Sequence, residues 1–197
     1  MRSLRDVQQL QDPEGEAAAL GITAANWSLF GVVWDSSQVL AKFMEEFDIA
    51  GKRILELGCG TALSSLLINR RGGDITATDY HPEAENFLQR NTLLNNDKDI
   101  PYFRSDWENF TSDHGHFDLI IGSDVLYDHG KLQPLAKFIQ GHAQPQCEVV
   151  VVDPGRIKQG RFNQQMLQYG FSRQRTEPGD SSYLEKPFGG SIFTFRR

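Results

Sequence analysis

From Arg53 onward the chain alternates short apolar runs rich in β-branched residues with longer segments of helical character, and that alternation confines it to a doubly wound α/β sheet. The expected strands are Arg53–Leu57, Asp74–Thr78, Pro101–Arg104, Phe117–Gly122, Glu148–Val152, Phe171–Thr176 and Ser191–Phe195. Asp118-Leu119-Ile120-Ile121 and Val149-Val150-Val151-Val152 lack polar alternation, as central parallel strands covered on both faces should. Helices are expected over Thr61–Arg70, closed by Gly72-Gly73, and over Pro82–Asn96, opened by proline in its first turn. Two more fit Lys131–Gly141 and Gly160–Tyr169. Only a turn-rich connection through Glu177-Pro178-Gly179-Asp180 and Pro187-Phe188-Gly189-Gly190 joins the last two strands, which predicts an antiparallel hairpin at the sheet edge.

A chain of 197 residues, 39% hydrophobic and 23% charged, suits one ordinary domain with its own core. Ahead of the first strand lie a polar lead, roughly residues 1–24, and the stretch Trp27–Phe47, in which Val39, Leu40, Phe43, Met44 and Phe47 fall at helical spacing. We read residues 1–50 as a helical lead or lid and 51–197 as the sheet domain, together a single globular unit. No run of about 18 apolar residues occurs and the N-terminus has no long apolar core, so neither membrane spanning nor export is expected. Cys59 and Cys147 lie far apart without ligand spacing, which fits a reducing, cytoplasmic setting and no zinc site. The five histidines make no metal pattern, and His114-Gly115-His116 reads as a solvated loop. A formal charge of −6 opposes attraction to phosphate backbones and suits a basic protein surface.

The stretch Ile54-Leu55-Glu56-Leu57-Gly58-Cys59-Gly60-Thr61-Ala62 carries the chemistry. A strand runs into a glycine turn and then a helix, and Gly58 and Gly60 allow backbone angles or close ligand approach that a side chain would forbid. Nineteen residues after Gly60, just past the second strand, Asp79 can accept hydrogen bonds from both hydroxyls of a ribose. A dinucleotide fingerprint needs a third small residue where this chain has Leu63, and Glu56 would repel a pyrophosphate. The same carboxylate is compatible with the cationic amine and sulfonium of S-adenosylmethionine (SAM), which has no pyrophosphate.

Glu56-Leu57-Gly58-Cys59-Gly60 with Asp79 resembles the first two motifs of class I, seven-strand SAM-dependent methyltransferases. Gly31-Val32-Val33-Trp34-Asp35-Ser36-Ser37-Gln38-Val39-Leu40 and Ser123-Asp124-Val125-Leu126-Tyr127-Asp128 are similar to segments of the methyltransferase-like protein-lysine methyltransferase family, the second matching its Asp/Glu-x-x-Tyr motif. Asp153-Pro154-Gly155-Arg156 is similar to a stretch of the branch that methylates the electron-transfer flavoprotein β subunit, although Asn26-Trp27-Ser28-Leu29-Phe30 does not clearly match that branch. The matches span roughly residues 27–160, and the last third of the chain carries no transferable motif.

The resemblance implies a Rossmann-like, seven-stranded, mostly parallel sheet with helices on both faces, SAM as cofactor, S-adenosylhomocysteine as product, and a lysine amine on another protein as acceptor. It implies cofactor contacts from Trp34, Glu56, Gly58, Gly60, Asp79, Asp106, Trp107 and Ser123, with Asp106 near the adenine amine and Trp107 against its ring. Asp124 would orient the cofactor's amino-acid end or the incoming amine, and Tyr127 would wall the amine channel. Arg156 either holds substrate or pairs with a carboxylate. The rival readings are small-molecule N-methylation, a SAM-binding interaction module without turnover, and an NAD oxidoreductase. An Asn/Asp-Pro-Pro-Tyr motif, typical of adenine and glutamine amino methyltransferases, is absent.

Overall fold

The computed structural model describes residues 1–6, 9, 12, 14–155 and 160–197. Seven strands form one sheet: β1 (Arg53–Leu57), β2 (Asp74–Asp79), β3 (Tyr102–Arg104), β4 (Phe117–Ser123), β5 (Ala143–Asp153), β6 (Ser172–Thr176) and β7 (Ser191–Arg196). Their spatial order is β3-β2-β1-β4-β5-β7-β6. The first five pair in parallel, and β7 runs antiparallel between β5 and β6. The hairpin is thus present, with β6 rather than β7 at the rim.

Helix α1 (Glu16–Ala19) and a 3-10 turn at Leu29–Gly31 precede α2 (Asp35–Glu46); α3 (Leu63–Arg70), α4 (Ala84–Asn95), α5 (Leu132–His142) and α6 (Gly160–Gln168) follow. Strand alternation divides the core in two. Ile54, Leu119, Ile121, Val150 and Val152 pack with Val39, Leu40 and Met44 of α2 and Leu66 and Ile68 of α3. Leu55, Leu57, Ile120, Val149 and Val151 meet Leu135, Phe138 and Ile139 of α5 and Phe162 and Met166 of α6.

Four boundaries move for local reasons. The Trp27–Phe47 periodicity becomes helix only from Asp35, because residues 29–31 form the 3-10 turn and Val32 and Trp34 are extended. Helix α3 starts at Leu63, after Ala62 takes a left-handed φ of 60°. Helix α4 starts at Ala84, two residues past Pro82. Strand β5 begins at Ala143, five residues earlier than expected, because Ala143 pairs with Phe117 across a register irregularity.

The His114–His116 segment is not simply solvated: the His114 ring stacks on Phe103 at 3.7 Å, and the 114 and 116 carbonyls accept from the Arg53 guanidinium. His142 is buried at the end of α5, stacked on Phe138 at 4.2 Å. Arg156 lies outside the described residues. Among the described residues no helix is long and apolar enough to cross a membrane, and no group of three metal-binding side chains converges.

Candidate active site

The carboxyl ends of β1, β2, β3 and β4 converge on one edge of the sheet, the edge where open α/β folds leave a crevice. The crevice is a cavity of about 470 Å³, within the range of small-molecule sites. Gly58, Cys59, Gly60 and Thr61 come from the turn after β1, Asp79 from the end of β2, Ser105, Asp106 and Trp107 from the loop after β3, Ser123 from the end of β4, and Asp124, Tyr127 and Asp128 from the segment that follows it. Residues from Gly21 to Trp34 close the remaining side.

The glycine turn is built from left-handed residues, with φ of 56° at Gly58, 53° at Gly60 and 60° at Ala62. A Cβ at Gly60 would lie 2.6 Å from the Phe30 carbonyl oxygen, so the missing side chain admits the N-terminal segment. Asp79 braces the turn from β2. Its Oδ2 accepts the Gly60 N–H at 2.8 Å, and its Oδ1 accepts the His81 N–H at 2.9 Å. Burial pushes its carboxyl above the ordinary range, opposed by these backbone donors. The main-chain N–H of Tyr80 also lowers it, and the carboxylate as a whole keeps acceptor capacity for a ligand.

Glu56 lies behind the turn. It does not line the cavity; it is 3% exposed, points from β1 beneath α3, and accepts the backbone N–H of Ser65 at 2.9 Å as well as the Ser65 hydroxyl. That satisfies one orphan donor in the first turn of α3. Burial raises its carboxyl to about 7, so near neutrality it is not a fixed anion. Glu56 thus supports the turn from behind.

The other nine candidate residues share the cavity wall. Asp106 Oδ1 accepts the Glu108 N–H at 3.2 Å and lies 3.7 Å from Lys131 Nζ, while Oδ2 accepts from Asn109 at 3.1 Å. Lys131 pairs more closely with Glu108, at 2.8 Å, and these acids raise its ammonium pKa. Trp107 packs half-buried against the α5–α6 side of the core. Asp124 holds a left-handed φ of 52°, and its N–H donates to the Val152 carbonyl at 2.9 Å. Such conformations in non-glycine residues concentrate at functional sites. Trp34 and Tyr127 are 37% and 49% exposed, and Trp34 Nε1–H donates to the Leu29 carbonyl at 2.8 Å.

The sequence profile of a family described as lysine methyltransferase matches residues 20–168. The chain belongs to that family. EEF1A lysine methyltransferase 3 of Xenopus tropicalis is 29% identical over 160 residues, covering 76% of this chain and 70% of the relative. Protein N-lysine methyltransferase METTL21A of Danio rerio is 36% identical over 113 residues, covering 52% of this chain and 51% of the relative, so the match spans about half of that protein. Among solved structures, magnesium protoporphyrin IX methyltransferase from Synechocystis with bound SAM superposes with a TM-score of 0.63 at 16% identity, over 82% of this chain and 77% of that one, a likeness of fold.

The sequence reading of this methyltransferase missed Tyr80, His81 and Lys131, and the inward residues of the N-terminal segment. Tyr80 and His81 directly follow Asp79, and that adjacency was the available signal. Nothing in the periodicity of residues 21–34 marked which of them face the cavity.

Proposed function

We propose that the protein is a SAM-dependent methyltransferase acting on a lysine amine of a protein. The observation that carries this reading is the joining of the β1 glycine turn to the Asp79 carboxylate beside an open cavity of adenosyl size. The donor set fits the cofactor. Asp79 retains acceptor capacity for the ribose hydroxyls, the half-buried Trp107 offers a flat apolar surface, and Asp106 offers carboxylate oxygens near it. When bound, SAM supplies a methyl group already activated by its sulfonium.

The protein's share is alignment and desolvation. A lysine amine, with an ordinary pKa near 10.4, must lose its proton before it attacks. The apolar surface offered by Trp34 and Tyr127 favours the neutral amine through desolvation, and the Asp124 carboxylate holds the amine, or the cofactor's amino-acid end, in line. The left-handed Asp124 backbone aims the residue into the cavity at a local cost that the β4–β5 pairing absorbs. On this reading residues 1–50 act as the lid and 51–197 as the catalytic unit. The partner is a protein with a basic surface rather than a nucleic acid, matching a net charge of −6. The compartment is cytoplasmic, in keeping with two free cysteines.

Incubation with methyl-labelled SAM and a cell lysate should place label on lysines in the protein fraction. Label confined to small molecules would defeat the protein-lysine reading. Asp79→Asn leaves one oxygen for two N–H donors and the ribose, and should weaken S-adenosylhomocysteine binding about 10- to 100-fold by calorimetry. Asp124→Ala and Tyr127→Phe should both slow single-turnover transfer at saturating SAM; unchanged rates in both would remove the roles given to them.

A further inference from the structure

His81 lies in the cavity wall yet is 5% exposed. Its main-chain N–H donates to Asp79 Oδ1, and its Nδ1 accepts the Glu83 N–H at 3.1 Å, just ahead of α4. With Nδ1 an acceptor, the neutral ring carries its proton on Nε2. Burial depresses the ring's pKa to about 4, against the raising influence of Asp12 and the Trp27 carbonyl, so the imidazole is uncharged under ordinary conditions.

The ring lies flat on Phe30, with centroids 3.9 Å apart and planes 16° from parallel. Phe30 belongs to the N-terminal segment, and its carbonyl fills the space a Gly60 side chain would need. The contacts therefore close a circuit. Asp79 holds the His81 N–H, the His81 ring holds Phe30, the Phe30 carbonyl abuts Gly60, and the Gly60 N–H returns to the other oxygen of Asp79.

We propose that His81 is a positioning residue for the cofactor, coupling the N-terminal cover to the carboxylate that receives the ribose. The inference rests on the adenosyl reading of the cavity. The imidazole combines two functions that no other side chain reproduces together: a ring face for Phe30 and an acceptor at the δ position for Glu83. Each can be removed separately. His81→Asn retains a δ acceptor and loses the ring face, whereas His81→Phe retains the face and loses the acceptor.

The test is calorimetric affinity for S-adenosylhomocysteine in wild type, H81N and H81F. It is joined by fluorescence of Trp27 and Trp34 in the cover, thermal melting, and the kinetic split for SAM. Stacked rings contribute about 1 kcal/mol, so H81N should bind S-adenosylhomocysteine about fivefold more weakly, with KM for SAM rising more than kcat falls. H81F should bind within about threefold of wild type, even where its melting temperature drops through loss of the Glu83 bond. Its cover fluorescence should match that of wild type. Phe30→Leu should reproduce the H81N defect, which keeps the test open if one histidine variant fails to fold. Wild-type affinity in both H81N and F30L would overturn the coupling while leaving the cofactor reading intact. Absence of S-adenosylhomocysteine binding by the wild type would bring down that reading and the coupling with it.

Discussion

A methyl group added at position 60 would meet the Phe30 carbonyl and force a left-handed alanine at φ 53°. Gly60→Ala should therefore lower stability by about 2 to 3 kcal/mol in urea titration. Gly72→Ala faces open space at φ 78°, so the loss there should be nearer 1 kcal/mol. Equal losses at the two positions would show that backbone strain alone, without the Phe30 contact, accounts for both. The requirement for glycine at 60 was legible in the sequence, but its cause was not, because a contact between residues 30 and 60 leaves no local pattern. The reach of Asp79 toward the turn was legible, since strand and turn lengths fix where the end of β2 falls beside β1.

At the scale of elements, the strands were read closely because unbroken apolar runs such as Val149–Val152 have no other stable place than a covered sheet. Helix starts were read less well. The first turns of α3 and α4 are set by side chains distant or outside the helix, Glu56 for one and His81 for the other, which propensity does not encode. The burial of Glu56 was not legible for a related reason: period-two alternation puts it on the same face as Ile54, but the sequence does not say which helix covers that face.

Its burial beneath α3 has a thermodynamic consequence. The folded-state pKa, raised from 4.5 to about 7, means that the folded protein keeps a proton which the unfolded chain has lost, so stability falls as pH rises from about 4.5 through 7. Glu56→Gln has no such proton, and its melting temperature should gain on wild type over that window, by an amount on the order of 2 kcal/mol in stability. A constant difference between pH 5 and pH 8 would exclude a buried, titrating Glu56.

For the whole molecule, one edge of the sheet gathers four strand ends into the cavity, and the two apolar clusters on either face hold them in register. Both cysteines sit inside this arrangement. Burial lifts Cys147 to about 12 and Cys59 well above its ordinary value, so labelling by a thiol reagent should be slow in the folded protein and rapid in denaturant. Because Cys59 also lines the cavity, S-adenosylhomocysteine should slow its labelling further and leave Cys147 unaffected. The insertion of β7 between β5 and β6 carries a different consequence. Until Ser191–Arg196 is in place, Val149–Val152 offers a bare, uncharged row of amides and carbonyls to any strand it meets. A chain stopped before Ser191 should accordingly self-associate, eluting as large aggregates where the full chain does not.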